Sequence, residues 1–158
     1  MESSIRACGL SDLPLVNRVM KDPSVYPYAT YDGREGMDEY SAESILRKGP
    51  PWYVLMENTN SFVAMFAPET NATWIVHTNV LPCLRGKQAF KAGKEMARWM
   101  FENTTCHNIV GYTPSRNRRA LMFNRIVGFK KIGEVKNGII KDGQLDDLHI
   151  VSLVKGET

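Results

Sequence analysis

The sequence predicts an α/β (α+β) fold with about seven strands. Three observations predict it. Short apolar segments of strand character and longer segments of helical period follow one another in the order β, α, α, β, β, β, α, β, α, β, β. Three of the strand-like segments are consecutive, separated only by Asn- and Thr-rich turns, and read as an antiparallel meander. The later strands are instead divided by helical segments. A chain of 158 residues, 43% of them hydrophobic, is expected to form one domain over residues 1–158 with an ordinary core.

Taken in order, Ser4 to Cys8 reads as a short first strand. Ser11 offers an N-cap for a helix carrying Leu13, Val16, Val19 and Met20 at helical spacing, with Pro14 tolerated in the first turn. The turn-rich stretch DPSVYPYATYDGREG is a loop long enough to carry a function. A helix is expected over residues 38–48, stopped by Gly49-Pro50-Pro51. The meander is WYVLME (52–57), SFVAMFA (61–67) and TWIVHTNV (73–80). The next helix places Ala89, Gly93, Met96, Ala97 and Met100 on one stripe. HNIVGYT (107–113) is strand-like, residues 117–127 are helical, and GFKKIGEVK and DDLHIVSLV close the chain as strands.

Charge is unevenly spread. Residues 1–84 hold six Lys and Arg against ten Asp and Glu, whereas residues 85–141 hold thirteen against three. The second half therefore suits an anionic ligand, either nucleic acid or a phosphorylated cofactor. Its basic residues are dispersed over two helices without interleaved exposed aromatics, which argues against nucleic acid. The three cysteines have no close-paired spacing, so neither a disulfide framework nor a metal site is indicated. The first residues lack a basic start with a long apolar run, and no segment approaches the roughly 18 apolar residues of a membrane span. The expectation is a soluble cytoplasmic protein without a membrane partner.

The chemistry concentrates in VLPCLRGKQAF (80–90), where a strand passes through Arg85-Gly86-Lys87 into a helix. A helix N-terminus carries unpaired amides and the positive end of the helix dipole, and glycine lets a ligand approach the backbone, so such a junction attracts phosphate. Some thirty residues on, SRNRRALMFNRIVGF adds an Asn-x-x-Ala helix that ends in Gly-Phe. In this order and spacing the chain resembles the GNAT acetyltransferase superfamily. That family has a pyrophosphate loop R/Q-x-x-G-x-G/A opening a helix, a further strand, and then an Asn-x-x-Ala/Ser helix. The motifs cover residues 73–135, and the order of elements fits from residue 4 to the end. A weaker likeness, in VHTNVLPCLRGK and MARWMFENT, is to degenerate GNAT-like proteins carried by bacteriophages.

The resemblance implies a mixed, strongly twisted sheet with helices on both faces and a V-shaped splay between the fourth and fifth strands. It implies acetyl-CoA as cofactor. The backbone of Thr78, Asn79 and Val80 would meet the pantetheine, and the loop Arg85, Gly86, Lys87, Gln88, Ala89 and Phe90 the pyrophosphate. Lys87, Lys91, Arg118 and Arg125 would meet the adenosine phosphates, and Asn117 would contact the cofactor or order the site. Two departures stand out. Gln88 and Phe90 occupy the positions where the family has glycine and Gly/Ala, and Asn124 stands where many members carry a tyrosine that protonates the CoA thiolate. Asn117 and Asn124 lie two turns apart on one helix face.

Acetyl transfer to an amine needs a base titrating near neutrality, and His77, on the strand before the phosphate loop, is the candidate. Alternation puts it with Ile75 and Asn79, opposite Trp74, Val76 and Thr78. The catalytic set is thus His77, Asn117 and Asn124, with His149, Tyr112 and Ser115 as weaker candidates. The tyrosines of the 26–40 region and Trp52 are expected to line the acceptor side. The reading is an N-acetyltransferase acting on a primary amine of a small molecule or protein, compatible with a homodimer. The alternative is a non-catalytic GNAT-fold module that binds a protein partner in a phage particle.

Overall fold

The computed structural model describes residues 4–157. Seven strands form one sheet in the order β1-β2-β3-β4-β5-β7-β6. They are β1 (Ile5–Ala7), β2 (Tyr53–Glu57), β3 (Phe62–Pro68), β4 (Thr73–Val80), β5 (Asn108–Pro114), β6 (Lys130–Lys141) and β7 (Gln144–Val154). The five helices are α1 (Leu13–Met20), α2 (Tyr26–Ala29), α3 (Glu43–Lys48), α4 (Lys87–Asn103) and α5 (Arg118–Val127). Every pairing is antiparallel except β4 with β5. The sheet is mixed, as expected.

Two apolar layers sandwich the first half of the sheet, because β2, β3 and β4 are apolar on both faces and need cover on each. Val54, Met56, Val63 and Met65 pack against Val16, Val19 and Met20 of α1 and Leu46 of α3. Leu55, Phe62, Ala64, Phe66 and Trp74 pack against Ala89, Ala92, Met96 and Met100 of α4. All five residues of the expected α4 stripe are buried. Among the described residues no helix is long and apolar enough to cross a membrane.

Several boundaries differ from the sequence-based expectation. The helix expected over 38–48 begins only at Glu43. Its first part is tied into turns: Ala42 N–H donates to Asn17 Oδ1 at 2.9 Å and Glu43 N–H to Ser41 Oγ at 3.2 Å, and these side-chain acceptors compete with the helical ladder. Ser11 is not the cap of α1. It lies inside a 3₁₀ turn, Leu10–Asp12, closed by the Asp12 carboxylate, which accepts from Gly9 N–H at 2.9 Å and pairs with Arg6 at 2.9 Å. The long 22–36 loop contains the short α2. The final hairpin is longer than expected, running to a two-residue turn at Asp142 and Gly143, both at positive φ (51° and 73°), as Asp-Gly turns favour.

Candidate functional site

The parallel pairing of β4 with β5 lasts for only three residue pairs, ending at Ile75↔Val110. Beyond it β4 runs on to Val80, held by β3, and β5 to Pro114, held by β7. The arms part because each follows its own antiparallel neighbour. Leu81 N–H donates to Ser61 O at 2.8 Å, and the β3–β4 register is unbroken back from there. Alternation then turns the backbone amides of Asn79 and His77 toward β3 and those of Thr78 and Val80 toward the opening. Of the three pantetheine-contacting residues expected, Thr78 and Val80 thus present amides to the slot, while Asn79 is turned away and its side chain is buried. On the α4 face the slot is a narrow crevice walled by Val76, Thr78, Gly93, Phe123, Val127 and Phe129.

At the mouth of this crevice α4 begins. Gly86 is its N-cap at φ 97°, a conformation that disfavours other residues, and beyond its chain neighbours nothing lies within 4 Å of where a Cβ would stand. The amides of Lys87, Gln88 and Ala89 have no acceptor among the described residues. Lys87 and Gln88 are exposed and Ala89 is buried. Phe90 turns inward, its ring 6.0 Å from that of Phe123. Arg85 does not reach toward these amides: its guanidinium donates to Ser24 O at 2.9 Å, and its buried Nε has no partner. Burial, and after it the charge of Arg119, lowers its pKa.

The start of α5 brings Asn117 and Asn124 to structural posts. Asn117 is the N-cap, its Oδ1 accepting from Ala120 N–H at 3.2 Å. Asn124 Nδ2 donates to the hydroxyl of buried Thr113 on β5 at 2.9 Å, binding helix to strand. Gly93 permits α4 and α5 to meet, since a Cβ there would stand 2.8 Å from Phe123 Cζ. Arg118 and Arg125 are exposed and unpaired among the described residues.

His77 sits on the other face of β4, across from Met65, whose layer belongs to α1. The residue is exposed and makes no hydrogen bond among the described residues. Surrounding protein, and then the charge of Arg34, lowers its pKa below 6.5. The other two histidines are engaged: His107 Nδ1 lies 2.8 Å from Thr105 O, and His149 Nε2 lies 3.7 Å from Glu134. Tyr112 stands two residues past the last β4–β5 pair, as His77 does, so the two side chains share a face on opposite arms. Ser115, a weaker candidate, donates to the Asp146 carboxylate and so braces a turn.

The expected aromatic lining divides. Tyr28 and Tyr31 are 62% and 48% exposed, but Tyr26 is core, its ring 5.6 Å from Tyr40. Trp52 precedes β2, level with the closed end of the splay, and stacks with Lys48 at 4.2 Å.

Solved structures of similar architecture include acetyltransferases. Spermidine N-acetyltransferase from Vibrio cholerae, solved with CoA and spermine, superposes with a TM-score of 0.75 at 15% identity, covering 97% of this chain and 95% of that one. A putative acetyltransferase from Salmonella typhimurium, solved with acetyl-CoA, gives 0.75 at 18% identity, covering 100% and 96%. Ribosomal-protein-S5-alanine acetyltransferase from Vibrio fischeri gives 0.74 at 15%, covering 97% and 93%. The fold is therefore that of the GNAT acetyltransferases. No curated protein sequence matches the chain. Residues 48–156, from the end of α3 through β7, match the family described as protein of unknown function DUF2824, and the chain belongs to that family.

Proposed function

We propose that the protein is an acyl-CoA-dependent N-acyltransferase that moves an acetyl group from acetyl-CoA to a primary amine. The observation that carries this reading is His77. It is a histidine without a hydrogen-bond partner among the described residues, held neutral at the open end of a β4–β5 splay, where a base is needed. A structural histidine would be engaged, as His107 and His149 are.

The residues fit the cofactor. The free amides of Lys87, Gln88 and Ala89, with the open space around Gly86, suit a pyrophosphate, and the exposed Lys87, Arg118 and Arg125 carry positive charge. The slot-facing amides of Thr78 and Val80 suit the pantetheine and the thioester oxygen. Bound acetyl-CoA supplies an activated acyl carbonyl. His77 Nδ1 or Nε2 takes a proton from the incoming ammonium, and its lowered pKa keeps it in the accepting form at neutral pH. Asn124 has no useful proton to give and is bonded to Thr113, so Tyr112 is the phenol left to protonate the leaving thiolate. Asn117 serves by capping α5.

One observation favours a second reading, a non-catalytic module that holds a protein partner, such as one in a phage particle. The Phe123 ring lies in the crevice within 6.0 Å of the rings of Phe62 and Phe90 and narrows the path a pantetheine would follow. Release of free thiol from acetyl-CoA in the presence of a panel of primary amines, measured for wild type and His77→Gln, tests between them. Amine-dependent release that His77→Gln abolishes supports transfer; no release with any amine supports the module.

A further inference from the structure

Helices α4 and α5 lie side by side on one face of the sheet, where Ala89 and Met96 of α4 and Val127 of α5 share an apolar layer with Phe62 and Phe66. The Phe90 and Phe123 rings, 6.0 Å apart, mark the seam between them. Side chains three or four positions from a seam residue lie next to it on the helix surface. On α4 the exposed ones are Lys87 and Lys94, which fall in one row with Lys91 and Arg98 at i, i+4, i+7 and i+11. On α5 they are Arg119 and Ile126, with Met122 between them in the same row.

The α4 wall of this furrow is cationic and largely unopposed. Lys91 lies 3.9 Å from Glu95, but Lys87, Lys94 and Arg98 have no ion pair among the described residues. Like charges at these spacings repel and weaken a helix, so folding gives no reason for the row. Acetyl-CoA phosphates at the first-turn amides would account for Lys87, but Arg98 lies about 16 Å further along the axis. The α5 wall is instead apolar at its centre, with Met122 53% and Ile126 39% exposed.

We propose that the furrow between α4 and α5 is a docking surface for an acidic amphipathic helix of another protein. Its carboxylates would answer Lys91, Lys94 and Arg98, and its apolar side chains would cover Met122 and Ile126. Charge complementarity and the apolar wall together select this occupant. Nucleic acid would answer the cations and leave Met122 and Ile126 unused, and no exposed residue of α4 or α5 is an aromatic on which a base could stack. A bilayer is flat, whereas two packed helices leave a furrow. The proposal does not rest on acetyl transfer, because Lys94, Arg98, Met122 and Ile126 have no part in that reaction.

The test uses a fluorescent synthetic helix of roughly 18 residues, long enough to hold helical structure. It carries glutamates at i, i+4, i+7 and i+11 and leucines in the adjacent row. A permuted peptide of identical composition has both rows dispersed. Anisotropy at about 0.15 M salt, where exposed charges more than roughly 8 Å apart are screened, is expected to show saturable binding of the ordered peptide, about tenfold or more tighter than the permuted one. Lys94→Glu with Arg98→Glu should weaken it about tenfold or more, and Met122→Ser with Ile126→Ser by a similar factor. A peptide bearing lysines in place of the glutamates should bind the charge-reversed variant and not wild type, which a misfolded variant would not do.

Equal affinity for ordered and permuted peptides would reduce the furrow to a diffuse polyanion attractor and overturn the proposal. Binding unaffected by the two serine substitutions would do the same. Tighter binding of an oligothymidylate or of phosphatidylserine vesicles than of the ordered peptide would replace the protein partner with nucleic acid or a lipid surface.

Discussion

His77 and Tyr112 hold equivalent places on the two arms of the splay, each two residues beyond the final pair Ile75↔Val110 and each on the face away from α4. One arm offers an imidazole without a hydrogen bond, the other a phenol that is 43% exposed. The splay leaves these two side chains on one face of the sheet, on separate arms.

The pH dependence follows from the imidazole. Desolvation by the surrounding protein, and secondarily Arg34, lowers the His77 pKa, so the acid limb of the kcat/KM profile should have its midpoint below 6.5. Arg34→Ala should move the midpoint upward without restoring 6.5, since desolvation by the surrounding protein is the larger cause. Stability is linked with a definite sign. The folded pKa lies below the unfolded one, so the unfolded state binds more protons below about 6.5. The His77 contribution should be fully present above that pH and be lost as pH falls through the lowered folded value. Denaturant melts of wild type and His77→Gln across pH 5–8 measure it.

Tyr112→Phe tests the other arm. If the phenol supplies the proton to the leaving thiolate, kcat should fall by roughly 10²-fold with KM little changed. A parallel rise in KM with kcat intact would instead assign Tyr112 to holding the acceptor.

Asn117 is expected to matter for stability rather than chemistry. Asn117→Ala should cost about 1 kcal/mol, the usual worth of an N-cap, and Asn117→Ser should recover most of it. Activity per folded molecule should be unchanged in both.

Gly93→Ala probes the seam between α4 and α5. The added methyl would stand 2.8 Å from Phe123 Cζ and 3.0 Å from Val127 Cγ2, and the displaced ring has the cofactor crevice beside it. A net loss of about 1–2 kcal/mol is expected despite alanine's better helix propensity, with relief in a Phe123→Leu background. Thermal or urea melts of the two single variants and the double variant read the coupling.

The parts of the fold most legible in the sequence were those with local signals. The bounds of β4, Thr73–Val80, match the strand-like segment TWIVHTNV, and the α4 stripe follows from helical spacing. Asn117 was found as a singular asparagine, but its capping bond, a local device, was not assigned. The helix expected from residue 38 was lost to Ser41 and to Asn17, whose side chain reaches Ala42 from another element. The tie between Asp32 and the β6–β7 hairpin turn was invisible for a similar reason: Asp142 N–H donates to Asp32 Oδ1 from 110 residues away, and no pattern within either segment announces the pairing. The long hairpin had a readable sign, the Asp142-Gly143 dipeptide, though β-bulges beside Gly133 and Ile139 break the alternation that would have extended its strands.

On the proposed function, the amides at the start of α4 and the splayed slot receive acetyl-CoA. Calorimetric titration of acetyl-CoA into wild type and Lys87→Glu tests it most directly, since Lys87 is exposed and its replacement leaves the core intact. Saturable binding that Lys87→Glu weakens about tenfold or more is the predicted result. Absence of heat at millimolar cofactor, with the protein folded, would contradict the account.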